Sequence, residues 1–165
     1  MIAPYTGDTT ALRRIFGGFP TGVVALSAVG DDGHPIVMVA STFAVGVSQD
    51  PPLVVFAAQH SSSTWPDLAR AHRLGVSVLG AEMAGRCRQL SSKNRAKRLA
   101  DIPVSILDSG AVLLPDGTAW FECEVTAAHR AGDHDLVVMQ VLGFGEKLDA
   151  DPLVWHRSTF VGLAT

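Results

Sequence analysis

The chain has 165 residues, a length typical of one compact domain. Hydrophobic residues make up 47% of it and charged residues 18%, which excludes a disordered protein. The net charge of −3 gives no general attraction to nucleic acid, and no apolar run approaches the roughly 18 residues of a membrane span, so we expect neither partner. The first residues show no signal-peptide pattern and the two cysteines form no CxxC pair, which predicts a cytoplasmic protein without a disulfide.

The first predicted element is a short helix near the N-terminus. Asp8 can cap it, and Gly17-Gly18 is expected to end it through a left-handed turn. Its apolar residues recur at helical spacing: Leu12, Ile15, Phe16 and Phe19. We expect residues 1–8 to form an N-terminal tail and residues 9–165 to form a single domain.

Apolar segments bounded by turn residues then predict a series of strands. These are 23–29, 35–40, 53–58, 74–79, 120–131 and 136–144. The last two flank Gly132-Asp133-His134 and predict a hairpin. A further helix is predicted over 82–99. Many strands with few helices favour a closed or partly closed antiparallel barrel over a parallel sheet.

Positive charge is concentrated in one segment of the chain. Six of the 13 basic residues lie there with no acidic residue among them: Arg86, Arg88, Lys93, Arg95, Lys97 and Arg98. One interpretation is a solvated helix face. The other is a positive field for the phosphates of a nucleotide, and both stay open. Nucleic acid is less favoured because no aromatic residues alternate with the charges.

A hydroxyl cluster, Ser61-Ser62-Ser63-Thr64, lies between a predicted strand and a helix start. It can cap the helix, and hydroxyls with free N–H groups there can also bind phosphate. No Gly-rich dinucleotide or P-loop motif is present. No pair of histidines has metal-ligand spacing, so no metal is expected. His134 is the histidine singled out, because it lies in the turn of the predicted hairpin.

Five segments in order resemble the short-chain flavin reductases, the reductase partners of two-component flavin monooxygenases. Gly18-Phe19-Pro20-Thr21-Gly22-Val23 is similar to the R-F-P-T-G-V with which that family opens. The other four segments are Met38 to Phe43, Val47 to Val54, Ser61 to Trp65, and Gly132-Asp133-His134. The resemblance runs over residues 12–160.

This resemblance implies a mainly β fold, the FMN-binding split β-barrel, antiparallel and Greek-key-like with a few peripheral helices, in a homodimer. It implies an NAD(P)H:flavin oxidoreductase that uses NADH or NADPH to reduce FMN or FAD for a separate monooxygenase. Catalysis would be positioning only, with no catalytic side chain and no metal. The implied flavin contacts are Val39, Ala40, Ser41, Thr42, Ala57, Ala58, Ser61, Ser63, Thr64 and Arg98, and the implied nicotinamide contacts are Asp133 and His134.

The chain departs from the family pattern at several positions. Val37 and Val39 stand where glycine and threonine are frequent, and Trp155-His156-Arg157-Ser158 replaces a common Y-H-R-G. Residues 98–104 lack the phenylalanine and tryptophan of the related stretch. Two alternatives stay open: a flavin-carrying barrel without fast reductase activity, and a dimeric barrel whose basic segment docks an acidic partner.

Overall fold

The computed structural model describes residues 2–163, so the outer ends of the predicted tail 1–8 and domain 9–165 lie outside the described residues. Its helices are α1 (Thr9–Phe16), α2 (Trp65–Leu68) and α3 (Ala84–Leu90), with 3-10 turns at Ala81–Met83 and Arg95–Lys97. None of the helices within 2–163 has the length and apolar character needed to cross a bilayer. The strands are β1 (Thr21–Gly22), β2 (Val24–Val29), β3 (Pro35–Ala40), β4 (Ala44–Gln49), β5 (Pro52–Gln59), β6 (Leu74–Leu79), β7 (Ser105–Ile106), β8 (Val112–Leu113), β9 (Gly117–Ala131), β10 (His134–Glu146), β11 (Val154–His156) and β12 (Thr159–Val161).

Seven of these strands form one antiparallel sheet in the order β3-β2-β6-β9-β10-β5-β4. Its centre is the β9–β10 hairpin, whose strands are the longest described and are joined by Gly132-Asp133. Gly132 has a φ of +64°, a left-handed conformation that glycine adopts without strain. Two small sheets, β1-β11-β12 and β7-β8, accompany the large one.

The large sheet must curl, because its two edge strands are consecutive in the chain. Ala40 ends β3 and Ala44 begins β4, so the two are at most roughly 14 Å apart. In a flat sheet six inter-strand spacings would separate these edges by roughly 29 Å. The sheet therefore curls until β3 and β4 approach each other, and no β3–β4 ladder joins them among the described residues.

Two apolar clusters stabilise this arrangement. The first lies inside the curled sheet and combines side chains of β2, β5, β6, β9 and β10 with Leu68 of α2. The second lies between the other face of β2 and β3 and helix α3, which contributes Cys87 and Leu90. Strand β2 is buried on both faces for this reason. Helix α3 is thereby held beside the end of β3.

The mainly β, antiparallel fold predicted from the sequence is confirmed. Strands 35–40 and 74–79 have the predicted bounds, and the hairpin is present with longer strands. The end of α1 was predicted correctly but for the wrong reason: Gly17 stays right-handed at φ −61°. At the following Gly18 a Cβ would lie 3.1 Å from the carbonyl oxygen of Ile15, a tight contact that favours glycine.

The predicted helix over 82–99 is wrong. The structure has a 3-10 turn, the short helix α3, and an irregular segment from Ser91 onward. Side chains replace helical hydrogen bonds there: Ser92 Oγ accepts from the N–H of Asn94, and Gln89 Nε2 donates to the carbonyl oxygen of Ala100 at 2.6 Å. Serine side chains commonly compete with helical hydrogen bonds in this way.

Candidate functional site

The predicted ring-binding segment follows the end of β3 and is fastened to β5. Val39 and Ala40 are the last residues of β3, and Ser41 and Thr42 follow. Thr42 Oγ1 donates to the carbonyl oxygen of Ala57 and accepts from its N–H, each at 3.1 Å. The structure therefore brings the predicted residues 39–42 beside Ala57. The side chain of Ala58 belongs to the core and is only 1% exposed.

The hydroxyl cluster lies directly after β5 and has divided roles. Ser62 Oγ accepts from the N–H of Trp65 at 3.1 Å, so Ser62, and not the N-cap residue Thr64, provides the side-chain acceptor at the start of α2. Thr64 is buried, and its Oγ1 accepts a 2.8 Å hydrogen bond from Arg98. Ser61 and Ser63 are exposed. Neither their hydroxyls nor their N–H groups have a hydrogen-bond partner within the described chain. These two serines are therefore free to bind a ligand.

Arg98 connects three parts of the site. Its Nε donates to Ser92 O at 2.7 Å, and its Nη1 donates to Val37 O at 2.9 Å and to Thr64 Oγ1 at 2.8 Å. Burial, and to a smaller extent repulsion by the charge of Arg95, lowers the pKa of Arg98 below its ordinary value. Since Nε and Nη1 are engaged, the predicted flavin contact of Arg98 has to use Nη2.

Arg95 stands beside the free serines. Its Nη1 donates to Ser63 O at 3.1 Å, and its Nη2 forms an ion pair with Asp67. The hydrogen bonds from Arg95 and then from Arg70 hold the pKa of Asp67 below its ordinary value, so this carboxylate stays ionised at neutral pH. Arg95 and Arg98 thus contact neighbouring segments of the protein, whereas Lys93 and Lys97 are exposed and form no ion pair within the described residues.

Two cavities lie along this region. One of about 780 Å³ is lined by Val37, Asp67, Arg95 and Arg98 among others. The other, of about 520 Å³, contains the predicted Val39 and Ser41 and is completed by α3 and the β11–β12 turn. Its remaining lining residues are Val23, Cys87, Arg88, Ser91, Trp155, Ser158, Thr159 and Phe160. We call this second space the ring cavity.

The Gly132-Asp133-His134 turn adjoins the same end of β5. In the β5–β10 ladder His134 is paired with Gln59, and the N–H of His60 donates to Asp133 O at 2.9 Å. His134 Nδ1 lies 2.7 Å from Asp133 Oδ1, and this contact lowers the pKa of Asp133. The predicted nicotinamide contacts therefore lie next to the free serines, although 70 residues separate them in the sequence.

Several site residues were missed by the sequence prediction. His60 Nε2 lies 2.9 Å from Asp135 Oδ1, and this pair adjoins the hairpin turn. Arg88, Ser91 and Ser158 line the ring cavity. Arg88 was noted in the sequence only as part of the basic segment. Ser158 belongs to the Trp155-His156-Arg157-Ser158 stretch that replaces the Y-H-R-G of the family. No local pattern marks His60, Asp135 or Ser91, which tertiary contacts place at the site.

Neither cysteine is suited to act as a nucleophile. Burial raises the pKa of Cys87 to about 11. Burial, and to a smaller extent the negative charge of nearby Glu122, raises the pKa of Cys123 to about 12. Both thiols stay protonated at neutral pH. In the part of the chain that the structure describes, no three His, Cys, Asp or Glu side chains are grouped so that they could hold a metal ion.

The donor set near Ser61 suits a phosphate group. Ser61 and Ser63 have free hydroxyls and free N–H groups, and Arg95 contacts the carbonyl oxygen of Ser63; such a combination of neutral and charged donors matches phosphate oxygens. The arrangement fits the phosphate of a flavin whose ring extends toward Thr42. The residues present therefore fit the cofactor that the sequence resemblance implies.

Comparison with known proteins identifies the family of the chain. The family model described as "Flavin reductase like domain" matches residues 16–164. The chain therefore belongs to the flavin reductase-like family, and the predicted class of oxidoreductase is confirmed.

Two curated relatives and one solved structure illustrate the similarity. The chain is 34% identical over 160 residues to the FMN reductase (NADH) SmoA of Agrobacterium fabrum, covering 97% of this chain and 89% of the relative. It is 29% identical over 156 residues to the flavin-dependent monooxygenase reductase subunit HsaB of Rhodococcus jostii, covering 94% and 78%. The NADH:FAD oxidoreductase SgcE6 of Streptomyces globisporus C-1027, solved with NAD and FAD fragments, superposes with a TM-score of 0.90 at 25% identity, covering 99% and 98% of the two chains.

Proposed function

We propose that this chain is an NAD(P)H-dependent flavin reductase that reduces FMN or FAD and supplies it to a separate flavin-dependent monooxygenase. One observation carries the proposal: the free donors of Ser61 and Ser63 and the turn that holds His134 meet at the same end of β5. A flavin held by the serines and a nicotinamide held at the turn are thereby adjacent. The names of SmoA, HsaB and SgcE6 support the same activity.

The protein's task in this reaction is positioning. When bound, the flavin accepts the hydride that the nicotinamide donates, so the reactive atoms belong to the cofactors. Residues 39–42 are proposed to line the flavin ring, with Thr42 held in place by Ala57. Ser61 and Ser63, with Arg95 behind them, hold the phosphate. Arg98 acts through Thr64 and Val37, whose positions it fixes.

The predicted contacts of His134 and Asp133 with the nicotinamide are retained in the proposal. His134 Nδ1 is engaged with Asp133, which orients the ring, and Nε2 has no hydrogen-bond partner within residues 2–163. Nε2 is therefore available to the amide or a phosphate of the nicotinamide nucleotide. Hydride transfer removes no proton from the donor carbon, so His134 is given no acid or base role.

We further propose that the chain acts as a homodimer in the cytoplasm. Large apolar side chains are exposed on the edge strand β4 and on β10, including Val45 at 62%, Val47 at 50% and Phe144 at 85%. An exposed edge strand with apolar side chains is a surface that natural proteins cover. Light scattering should give about twice the chain mass of 17.4 kDa, and a mass of one chain at micromolar concentration would contradict the dimer.

The activity is tested by measuring nicotinamide oxidation with and without added flavin. We expect NADH consumption to require FMN or FAD and to follow the protein concentration, with NADPH compared in parallel. The reduced flavin should support turnover by a separately purified flavin-dependent monooxygenase. Flavin binding without nicotinamide oxidation would favour the flavin-carrier alternative, and absence of flavin binding would contradict both.

A further inference from the structure

His60 and Asp135 form a pair that belongs to none of the proposed cofactor contacts. His60 Nε2 lies 2.9 Å from Asp135 Oδ1, although 75 positions separate the two residues in the chain. Each of them is next to a residue of the proposed site, since Ser61 follows His60 and His134 precedes Asp135. The pair therefore joins the phosphate-binding side of the site to the turn proposed to hold the nicotinamide.

The hairpin side of this pair is held by backbone hydrogen bonds. Asp135 lies in β10, where it is paired with Ala58 of β5 and with Arg130 of β9. Both ladders continue to His134, the first residue of β10. Because the ladders reach the turn, Asp135 keeps its place whether or not its carboxylate has a partner.

The carboxylate of Asp135 contacts His60 rather than the basic residue opposite it in the sheet. Residues paired in an antiparallel ladder project to the same face, so Arg130 and Ala58 share the face of Asp135. Arg130 nevertheless forms no ion pair within residues 2–163. Asp135 therefore holds the chain after β5, and its side chain does not link β9 with β10.

The serine side of the pair has no ladder to hold it. Strand β5 ends one residue before His60, and Ser61 and Ser63 lie in the loop that leads to α2. His60 contacts the hairpin twice, because its N–H donates to Asp133 O at 2.9 Å in addition to the contact of its imidazole. The far end of the loop is fastened separately, by the hydrogen bond from Arg95 to Ser63 O. The position of Ser61 relative to the turn therefore depends on His60.

We infer that His60 and Asp135 are a positioning pair, which places the donors of Ser61 against the phosphate of the flavin. This inference rests on the proposed function and adds to it two residues that act without touching the cofactor. The side chains are 34% and 36% exposed, and ion pairs of such exposure contribute little to stability. A hydrogen bond to phosphate, in contrast, weakens steeply when its donor is displaced. Loss of the pair should therefore affect phosphate binding more than folding.

The experiment compares FMN with riboflavin, which has the same ring and ribityl chain but no phosphate. Dissociation constants are measured by flavin fluorescence for the unmodified protein, His60→Leu and Asp135→Leu. We expect each variant to lose roughly 10- to 150-fold in affinity for FMN, as for one hydrogen bond to a charged group, and less than about twofold for riboflavin. The KM for NADH should stay nearly unchanged, since the ladders hold the turn.

Further variants test whether the two residues act together. The double variant His60→Leu/Asp135→Leu should lose no more FMN affinity than either single variant, because both substitutions remove the same contact. His60→Gln, whose amide can donate to the same carboxylate, should recover most of the affinity and thereby excludes misfolding as the cause. Glu124→Leu is the control, since it breaks the 3.0 Å ion pair with Arg73 and should leave both flavin affinities unchanged.

Three results would each overturn the positioning role. They are equal losses for FMN and riboflavin, additive losses in the double variant, and failure of His60→Gln to recover FMN affinity.

The two proposals fail in different ways. If the unmodified protein reduces flavin and the variants bind FMN as tightly as it does, only the inference about His60 and Asp135 is refuted. If the protein reduces flavin but binds FMN and riboflavin equally well, the phosphate site at Ser61 is refuted with it, and the reductase function stands. If the protein neither binds nor reduces flavin, the proposed function and this inference are both refuted.

Discussion

Thr42 Oγ1 and the backbone of Ala57 exchange two hydrogen bonds, each 3.1 Å long, which fasten the segment after β3 to strand β5. Strand β3 is one edge of the curled sheet, and β5 lies next to β4, the other edge. Thr42 therefore links the two sides of the opening between these edges. The residues proposed to line the flavin ring follow β3, and the serines proposed to bind phosphate follow β5. We expect this hydroxyl group to help fix the flavin ring relative to its phosphate, together with the pairing of Ala44 with Val55 in the β4–β5 ladder.

Thr42→Val should therefore weaken flavin binding. The loss of two hydrogen bonds that each contribute about 0.5–1.5 kcal/mol predicts a roughly 5- to 150-fold increase in the flavin dissociation constant. Thr126→Val is the control, because Thr126 Oγ1 donates to Val138 O at 3.2 Å in the β9–β10 hairpin, and it should leave flavin affinity unchanged. Equal effects of the two substitutions on affinity would argue against the role given to Thr42.

Substitution of Arg98 should lower the free energy of unfolding much more than substitution of Lys97, although the two residues are adjacent in the basic segment. Arg98→Ala leaves the oxygens of Ser92, Val37 and Thr64 without their donor and should lower the free energy of unfolding by about 1–3 kcal/mol. Lys97→Ala removes an exposed side chain and should change it by less than about 0.5 kcal/mol. Urea denaturation measures both. Similar stabilities of the two variants would contradict the connecting role of Arg98.

His134→Ala should raise KM for the nicotinamide nucleotide while kcat falls much less, the pattern of lost uniform binding. Removal of one hydrogen bond from Nε2 predicts a roughly 2- to 10-fold effect. His129→Ala, on the neighbouring strand of the hairpin, is the control. Flavin affinity should stay unchanged in both variants. A several-thousand-fold loss of kcat at constant KM would show that His134 takes part in the chemical step.

The Asp67 ion pairs predict a specific loss of stability in acid. The pKa of Asp67 is lowered in the folded protein, so its contribution is present above the unfolded value of 3.8 and is lost as the pH falls through the folded pKa. Asp67→Asn should therefore reduce stability at pH 6 and flatten the decline below about pH 4. Urea midpoints at pH 6 and pH 3.5 measure this, with Asp149→Asn as the control. A decline in Asp67→Asn as steep as in the unmodified protein would contradict it.

Six of the twelve described strands and the family motifs were predictable because their signals are local. Segments 35–40 and 74–79 are apolar runs bounded by turn residues, and tertiary contacts did not alter their bounds. The helix over 82–99 was not predictable in the same way. Its break after Leu90 depends on Gln89 and Arg98, whose side chains reach backbone carbonyls elsewhere in the segment.

The site was only partly predictable for a similar reason. Residues 39–42, 61–64 and 132–134 lie in recognisable motifs, whereas the His60–Asp135 pair joins residues 75 positions apart. Strands β11 and β12 were missed because their turn has Arg157-Ser158 at positive φ, where a two-residue hairpin usually has asparagine or glycine. That turn lines the ring cavity, so part of the site was missed with it.

Anaerobic rapid mixing of the protein and flavin with NADH tests the central claim most directly. The flavin should lose its oxidised absorbance in a single fast phase whose rate saturates with NADH concentration. The rate should fall in His134→Ala only at subsaturating NADH. A flavin that binds to the protein and keeps its oxidised absorbance in the presence of NADH and NADPH would contradict the proposed reductase.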